Sequence, residues 1–217
     1  MTSQHGSRFN HDSEAGGYDL DVQNQADPIR AGYDELLAWV IERAAIDRQS
    51  RVLELGSGTG NLSSRIRDCA ELVAVDLSDQ MEAIARHKLG HLSNRHFIQC
   101  DILDAFAHAP GPFDRVLSTY TIHHLTEPEK YSFFSKIRSC LAKNGRAVFG
   151  DLMVKDQPAL EAKIREYCAK DDLATVEALK EEFFWLLDPS IQQLERLGFK
   201  VEVKRFSDLS YGVLARL

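Results

Sequence analysis

Three alternating glycines close a short apolar run in Val52-Leu53-Glu54-Leu55-Gly56-Ser57-Gly58-Thr59-Gly60. Glycine is needed where a chain turns sharply, and where a ligand must reach the backbone without a β-carbon in the way. At the carboxyl end of a strand, such a loop is where open α/β sheets bind ligands. The spacing is G-x-G-x-G, whereas the dinucleotide fingerprint is G-x-G-x-x-G, so the loop alone reads as a nucleoside cradle or as a plain tight turn. Asp76 ends a second run, Leu72-Val73-Ala74-Val75-Asp76, where a carboxylate can accept hydrogen bonds from both hydroxyls of a ribose. Asp101 ends a third, Gln99-Cys100-Asp101-Ile102, where a polar group can bind the exocyclic amine of an adenine. The three features, in this order and at short spacings, point to a nucleoside cofactor. Each has a structural alternative. Asp76 can cap the helix that starts at Asp79, and Asp101, like Asp104, can be a turn residue.

Other side chains bear on chemistry beside that cofactor. His123 and His124 follow the fourth apolar run, and histidine titrates near neutral pH, so either can act as a general base or a polar contact to substrate. The alternative is a histidine at a helix start, satisfied by backbone. No metal is expected there, because adjacent side chains do not converge and the sequence offers no third ligand. Asp151 ends the fifth run and is expected to point toward the cleft mouth. Tyr18 and Tyr33 would close over the cofactor if the N-terminal segment folds back. Phe183, Phe184 and Trp185 are either core or an apolar wall facing substrate, and Asp114 is read as a turn residue.

Strands alternating with helices must position these groups. Asp27 and Pro28 form an N-cap and first-turn pair, and the apolar spacing from Ile29 to Ala44 predicts an amphipathic helix over 28–45. Strands are expected at 51–55, 71–75, 96–99, 113–118 and 145–152, with helices at 61–69, 79–89 and 127–141. That alternation argues for right-handed crossovers and a parallel sheet covered on both faces, an α/β fold. A charged helical stretch follows over 158–187, broken near 170–174, then a helix at 189–197 stopped by Gly198. Two further strands, at Phe199 to Phe206 and Ser210 to Leu217, are too close for a parallel crossover and must form a hairpin. The polar segment 1–27, with Phe9 and Tyr18 as scattered aromatics, is expected to be a flexible arm or flap.

Composition sets the class. The 217 residues carry 26 Lys and Arg against 33 Asp and Glu, a net charge of −7 that repels phosphate backbones and anionic membranes. Nucleic acid and membrane partners are therefore disfavoured. The four cysteines stand far apart with no CxxC pair, so neither a zinc site nor a disulfide framework is indicated. No signal core or membrane-length apolar run is present, which makes the cytoplasm the default. A monomer or a homodimer is expected.

In these motifs the chain resembles class I S-adenosylmethionine-dependent methyltransferases, over residues 28–217. The resemblance implies a Rossmann-like sheet of seven mostly parallel strands with an antiparallel terminal strand, helices on both faces and a lid-like helical insert at 158–187. It implies that Gly56, Ser57, Gly58 and Gly60 line the methionine and adenosine parts of S-adenosylmethionine, and that Glu54 helps to orient the methionine amino group. Asp76 would hold the ribose, Leu77 and Met81 would pack on the adenine, and Asp101 with the Ile102 backbone would meet its amine edge. Phe113 to Ser118 resembles the family's motif IV, which puts Ser118 near the cofactor, and Tyr18 would cover it. Thr119-Tyr120-Thr121-Ile122-His123-His124-Leu125 is similar to a segment of quinone-biosynthesis methyltransferases, where residues stand beside the sulfonium and the substrate; His123, His124 and Asp151 are the candidate catalytic groups. A small-molecule methyl acceptor follows as the main expectation. An RNA or protein acceptor, or a non-catalytic S-adenosylmethionine-binding role, is the alternative. A nicotinamide dehydrogenase is opposed by the glycine spacing and the terminal hairpin.

Overall fold

The computed structural model describes residues 2–5 and 12–217; residue 1 and residues 6–11, Phe9 among them, lie outside the described residues. The strands are β1 (Arg51–Leu55), β2 (Glu71–Asp76), β3 (Arg95–Gln99), β4 (Phe113–Thr119), β5 (Leu141–Val154), β6 (Trp185–Leu186), β7 (Lys200–Arg205) and β8 (Ser210–Arg216). The helices are α1 (Ala15–Asp21), α2 (Tyr33–Ala44), α3 (Asp79–Lys88), α4 (Ala105–His108), α5 (Glu127–Cys140), α6 (Gln157–Ala169), α7 (Leu173–Glu181) and α8 (Leu187–Arg196). The sheet order is β3-β2-β1-β4-β5-β8-β7, with the two-residue β6 beside β5. β1 to β5 pair in parallel, and β8 runs antiparallel to both β5 and β7. Sheet growth reverses direction between β1 and β4, so the crevice for a ligand opens at the carboxyl ends of those strands.

Side chains alternate across a strand, and the sheet sorts its residues accordingly. Val52, Leu72, Ala74, Leu117 and Val148 pack with α2, α3, α6 and α7 on one face. Leu53, Leu55, Val73, Val75, Val116 and Phe149 pack with α5 and α8 on the other. Both faces are covered, which is why the central strands are almost wholly apolar. Among the described residues no helix is long and apolar enough to cross a membrane.

Three expected helices are corrected; the stretch expected over 158–187 ends at Glu181, and Trp185–Leu186 pairs with β5 as a strand because it lies buried against that edge. The one at 28–45 begins only at Tyr33, because Gly32 turns into the left-handed region at φ 79°. Asp27 does cap a turn: its carboxylate accepts from Ile29 N–H at 2.9 Å, and its carbonyl accepts from Arg30 and Ala31. That turn stops at Gly32, where a β-carbon would stand 3.0 Å from Phe206 Cβ. The helix at 61–69 shrinks to one 3-10 turn, Ser63–Arg65, after which Ile66 is extended. There Ser64 Oγ donates to the Asn61 carbonyl at 3.0 Å and Ser63 Oγ donates to Glu54, and hydroxyls engaged locally compete with helix propagation. The segment read as an arm contains α1, and α4 and β6 are additions to the expected elements.

One glycine pair sets how closely the helical layer approaches. Gly150 of β5 faces Gly212 of β8. A β-carbon on Gly150 would lie 2.1 Å from Leu36 Cδ2, and one on Gly212 would lie 2.4 Å from the Trp39 ring. Gly150→Ala therefore pushes α2 off the sheet. Overpacking of this kind costs about 1–3 kcal/mol, and at roughly 2–4 °C per kcal/mol for a chain of this size the melting temperature falls by several degrees. An unchanged thermal transition by calorimetry would show that α2 can shift freely.

Candidate active site

The glycine loop is tied down before any ligand arrives. Gly56 and Ser57 donate their N–H groups to the Val75 carbonyl at 2.8 and 2.9 Å, which fastens the end of β1 to the end of β2. Gly58 N–H donates to Asp76 Oδ2 at 2.6 Å and Ser78 N–H to Asp76 Oδ1 at 2.9 Å, so the carboxylate is aimed by backbone on both sides. Gly56 has φ 74°, and a β-carbon there would fall 2.1 Å from Thr121 Oγ1; only glycine satisfies both constraints. Around Gly58, in contrast, a β-carbon would meet nothing within 4 Å, and beside it Ser57 Oγ is buried without a hydrogen-bond partner.

The loop lines a cavity of about 190 Å³. Of the expected cofactor residues, Gly56, Ser57, Gly58, Asp76, Leu77, Met81, Asp101, Ile102 and Tyr18 face it, together with His123 and His124. Asp101 accepts from Leu103 N–H at 2.8 Å through one oxygen, and from Ser3 N–H at 3.1 Å and the Ser3 hydroxyl through the other. The N-terminal segment thus meets the cavity wall at this carboxylate. α1 is latched to the loop as well: Thr59 Oγ1 donates to Asp19 at 2.7 Å, and Lys88 Nζ lies 2.5 Å from the same carboxylate. Latching holds Tyr18 over the cavity, with Arg30 stacked 5.6 Å from its ring and ion-paired to Asp21 at 2.8 Å. Burial pushes the phenols of Tyr18, Tyr33 and Tyr120 above their ordinary range, so all three are neutral at physiological pH.

Four expected site residues stand outside the cavity lining. Ser118 is fully buried and donates to the Leu55 carbonyl at 2.7 Å, which ties β4 to β1. Gly60, at φ 79°, lets the loop pack against α3, with a β-carbon there placed 3.2 Å from Ala85. Glu54 lies beneath the loop at 1% exposure and accepts from the Ser63 hydroxyl. Asp151 does not reach the cleft mouth: it is fully buried and accepts from Ile122 N–H at 2.8 Å, His123 N–H at 3.2 Å and His123 Nδ1 at 2.5 Å. Burial opposes its ionisation, but the histidine and these amides outweigh it and hold the carboxyl below the ordinary range. Asp151 thereby fixes the tautomer of His123, with the proton on Nδ1.

Several cavity residues were not singled out by sequence reasoning: Arg30, Tyr120, Thr121, Glu182 and Ser3. Tyr120 has a left-handed φ of 49°, a strained setting for a tyrosine, secured by its N–H to Gly150 O at 2.8 Å and its hydroxyl to Ser210 at 3.2 Å. Glu182, just past α7, accepts from His124 Nδ1 at 3.0 Å. Phe184 and Trp185 prove to be core, Trp185 lying 5.2 Å from the Phe134 ring, and Phe183 stacks on His5 at 5.1 Å.

Comparison with known proteins gives the family. A family model described as a methyltransferase domain matches residues 52–145. An uncharacterized methyltransferase of Anoxybacillus flavithermus is 31% identical over 194 residues, covering 88% of this chain and 85% of its own length. This chain is a class I S-adenosylmethionine-dependent methyltransferase. The fold of the methyltransferase is shared with the DhpI-SAM-HEP complex, at TM-score 0.70 and 21% identity over the full length of both chains. It is shared too with a phosphoethanolamine N-methyltransferase of Haemonchus contortus, at TM-score 0.71 and 17% identity, covering 97% of this chain and 58% of that one.

The residues present fit S-adenosylmethionine. The open space above Gly58, the unpartnered Ser57 hydroxyl and the backbone-aimed Asp76 form a polar cradle, and Leu77, Met81 and Ile102 supply apolar surface. Asp76→Ala removes the acceptor for one loop amide and one amide at the start of α3, and for the ribose hydroxyls that the carboxylate would hold. Each such loss costs about 1–3 kcal/mol, so calorimetry is expected to show S-adenosylhomocysteine affinity lower by about tenfold or more; unchanged affinity would place the ribose elsewhere.

Glu54 gives the methyltransferase a pH signature. Burial first, and the Asp76 charge second, raise its carboxyl well above the usual range. A carboxyl raised on folding favours the folded state below its unfolded pKa, and that contribution is lost as pH climbs toward the folded value. Glu54→Gln removes the slope. The melting temperature of the variant relative to the parent is therefore expected to rise between about pH 5 and pH 8; a constant difference across that window would mean that Glu54 ionises normally.

Proposed function

We propose that the enzyme transfers methyl to a small-molecule acceptor by in-line displacement, in the cytoplasm, with Asp76 on the ribose and Asp101 and Ile102 at the adenine. When bound, S-adenosylmethionine supplies an electrophilic methyl on a sulfonium, so the protein contributes alignment and exclusion of water. The observation that carries the small-molecule reading is enclosure. His123 is 5% exposed, and the cavity that it lines is covered by Tyr18 of α1, by Ala178 and Glu182 at α7, and by Ser3. A histidine this recessed favours a compact acceptor over an RNA or a folded protein, which would have to thread a single residue into the cavity. The described part of the N-terminal segment, residues 2–5 and 12–27, and the insert at 158–187 act together as this cover over the core domain. The four cysteines are free, in keeping with a reducing compartment.

His123 is placed for proton transfer. With Nδ1 protonated against Asp151, its Nε2 can accept a proton from a hydroxyl or carbon acid as the new bond to methyl forms. Asp151 acts as a positioning residue here. A thiolate or carboxylate acceptor needs no base, and for it the cavity serves only to align.

Two measurements test the reading. A panel of small thiols, carboxylates, alcohols and amines incubated with S-adenosylmethionine is expected to give acceptor-dependent S-adenosylhomocysteine. Silence across that panel, with labelling of RNA or protein from the same reaction, would overturn the acceptor class. With chiral-methyl donor, the product is expected to show inversion at the methyl carbon; retention would exclude a single in-line displacement.

A further inference from the structure

Three nitrogen and oxygen donors converge on one part of the cavity in a way the sequence did not reveal. His123 and His124 are adjacent, yet their rings stand 4.0 Å apart, and Glu182 arrives from 58 residues away to complete the group. One ligand atom from each residue lies within 4.8 Å of the others. The expectation that the two histidines diverge and lack a third donor is corrected by this fold. His123 is committed at Nδ1 to Asp151, which leaves Nε2 as its ligating atom. A carboxylate on the non-ligating nitrogen is the arrangement that orients metal-binding imidazoles and raises their basicity. His124 Nδ1 and Glu182 Oε2 are 3.0 Å apart, close to the roughly 3.3 Å that separates two ligands on a tetrahedral ion with bonds of about 2.0–2.1 Å.

We propose that His123, His124 and Glu182 form a site for a divalent transition metal of the zinc class, with a fourth position open to the cavity. Two imidazoles and one carboxylate are a borderline donor set suited to zinc or cobalt, and an oxygen-poor one for calcium or magnesium. Among the described residues the charge also favours a cation. Glu182 ligates and the buried Asp151 stands directly behind His123, so two carboxylates offset the two positive charges of the ion in a secluded setting. All three residues line the cavity, and a thiolate, carboxylate or alkoxide entering it would complete the tetrahedron. The site stands on this geometry; in the metal-loaded state His123 Nε2 is ligated and no longer takes a proton, so there the ion rather than the imidazole would favour deprotonation of an acceptor hydroxyl.

The test uses the full chain without an affinity tag, stripped with a chelator and titrated with Zn²⁺ by calorimetry and with Co²⁺ by visible absorption. One equivalent per chain is expected, and four-coordinate Co²⁺ bands without thiolate charge transfer. Glu182→Gln and His124→Ala should each weaken binding at least tenfold, while the thermal shift given by S-adenosylhomocysteine persists and shows the fold and cofactor site intact. Cys168→Ser, at an exposed thiol on α6, should leave the affinity unchanged. An octahedral aquo-type Co²⁺ spectrum, a thiolate band, no stoichiometric binding of either ion, or binding insensitive to both ligand substitutions would each overturn the site. The wild-type spectrum decides the matter even if a variant fails to fold.

Discussion

A carboxylate without access to water organises the functional half of this molecule. Asp151 ends no surface loop; it sits inside β5 and stays ionised there because backbone and imidazole donors surround it. A buried charge without such partners would neutralise or unfold its surroundings. Satisfying it requires the turn after β4 to bring two successive amides to one oxygen, and that requirement fixes Ile122 and His123 in space. The left-handed backbone of Tyr120 just before them is held in the same small region, anchored to Gly150 one residue before Asp151. The end of β4, the end of β5 and the histidine pair are consequently one unit.

Asp76 plays the corresponding part on the cofactor side. Its two oxygens gather amides from the glycine loop and from the start of α3, so three elements meet at one side chain. The sheet order places these two carboxylates on opposite sides of the crevice between β1 and β4. Ser118, on β4 and bonded to Leu55 of β1, ties the two halves across the seam. A buried hydroxyl thus sets the distance between the two sides of the crevice.

The legible parts of the sequence were those governed by local periodicity. Parallel strands buried on both faces read as apolar runs, the glycine loop announced itself by spacing, and the short gap between β7 and β8 left only a hairpin. Asp76 and Asp101 were visible because they end such runs. What escaped was set by tertiary contact or by side chains competing with backbone. Ser63 and Ser64 cut a helix to one turn, and Gly32 delayed another because Phe206, far along the chain, lies against it. Asp151 was recognised but placed at the cleft mouth, since nothing in a linear run of residues says that a later carboxylate will be capped by earlier amides. Arg30 and Glu182 enter the cavity from opposite ends of the sequence, and only the packing of α7 and the N-terminal segment brings them there.

Lys130 closes the account of how the insert is rooted. Its ammonium is completely buried, bonded to the Phe183 carbonyl and at 2.9 Å to Glu127, and burial pulls its pKa below the ordinary lysine value despite that carboxylate. On its other side, Phe183 donates its N–H to the His123 carbonyl at 2.9 Å. The same peptide segment is therefore stitched both to α5 and to the histidine turn. Any swing of the insert at this root strands a desolvated cation and pulls on His123 in the same motion. The protein is in this sense interlocked: the root of the insert and the histidine turn share one peptide segment, so neither can move without the other.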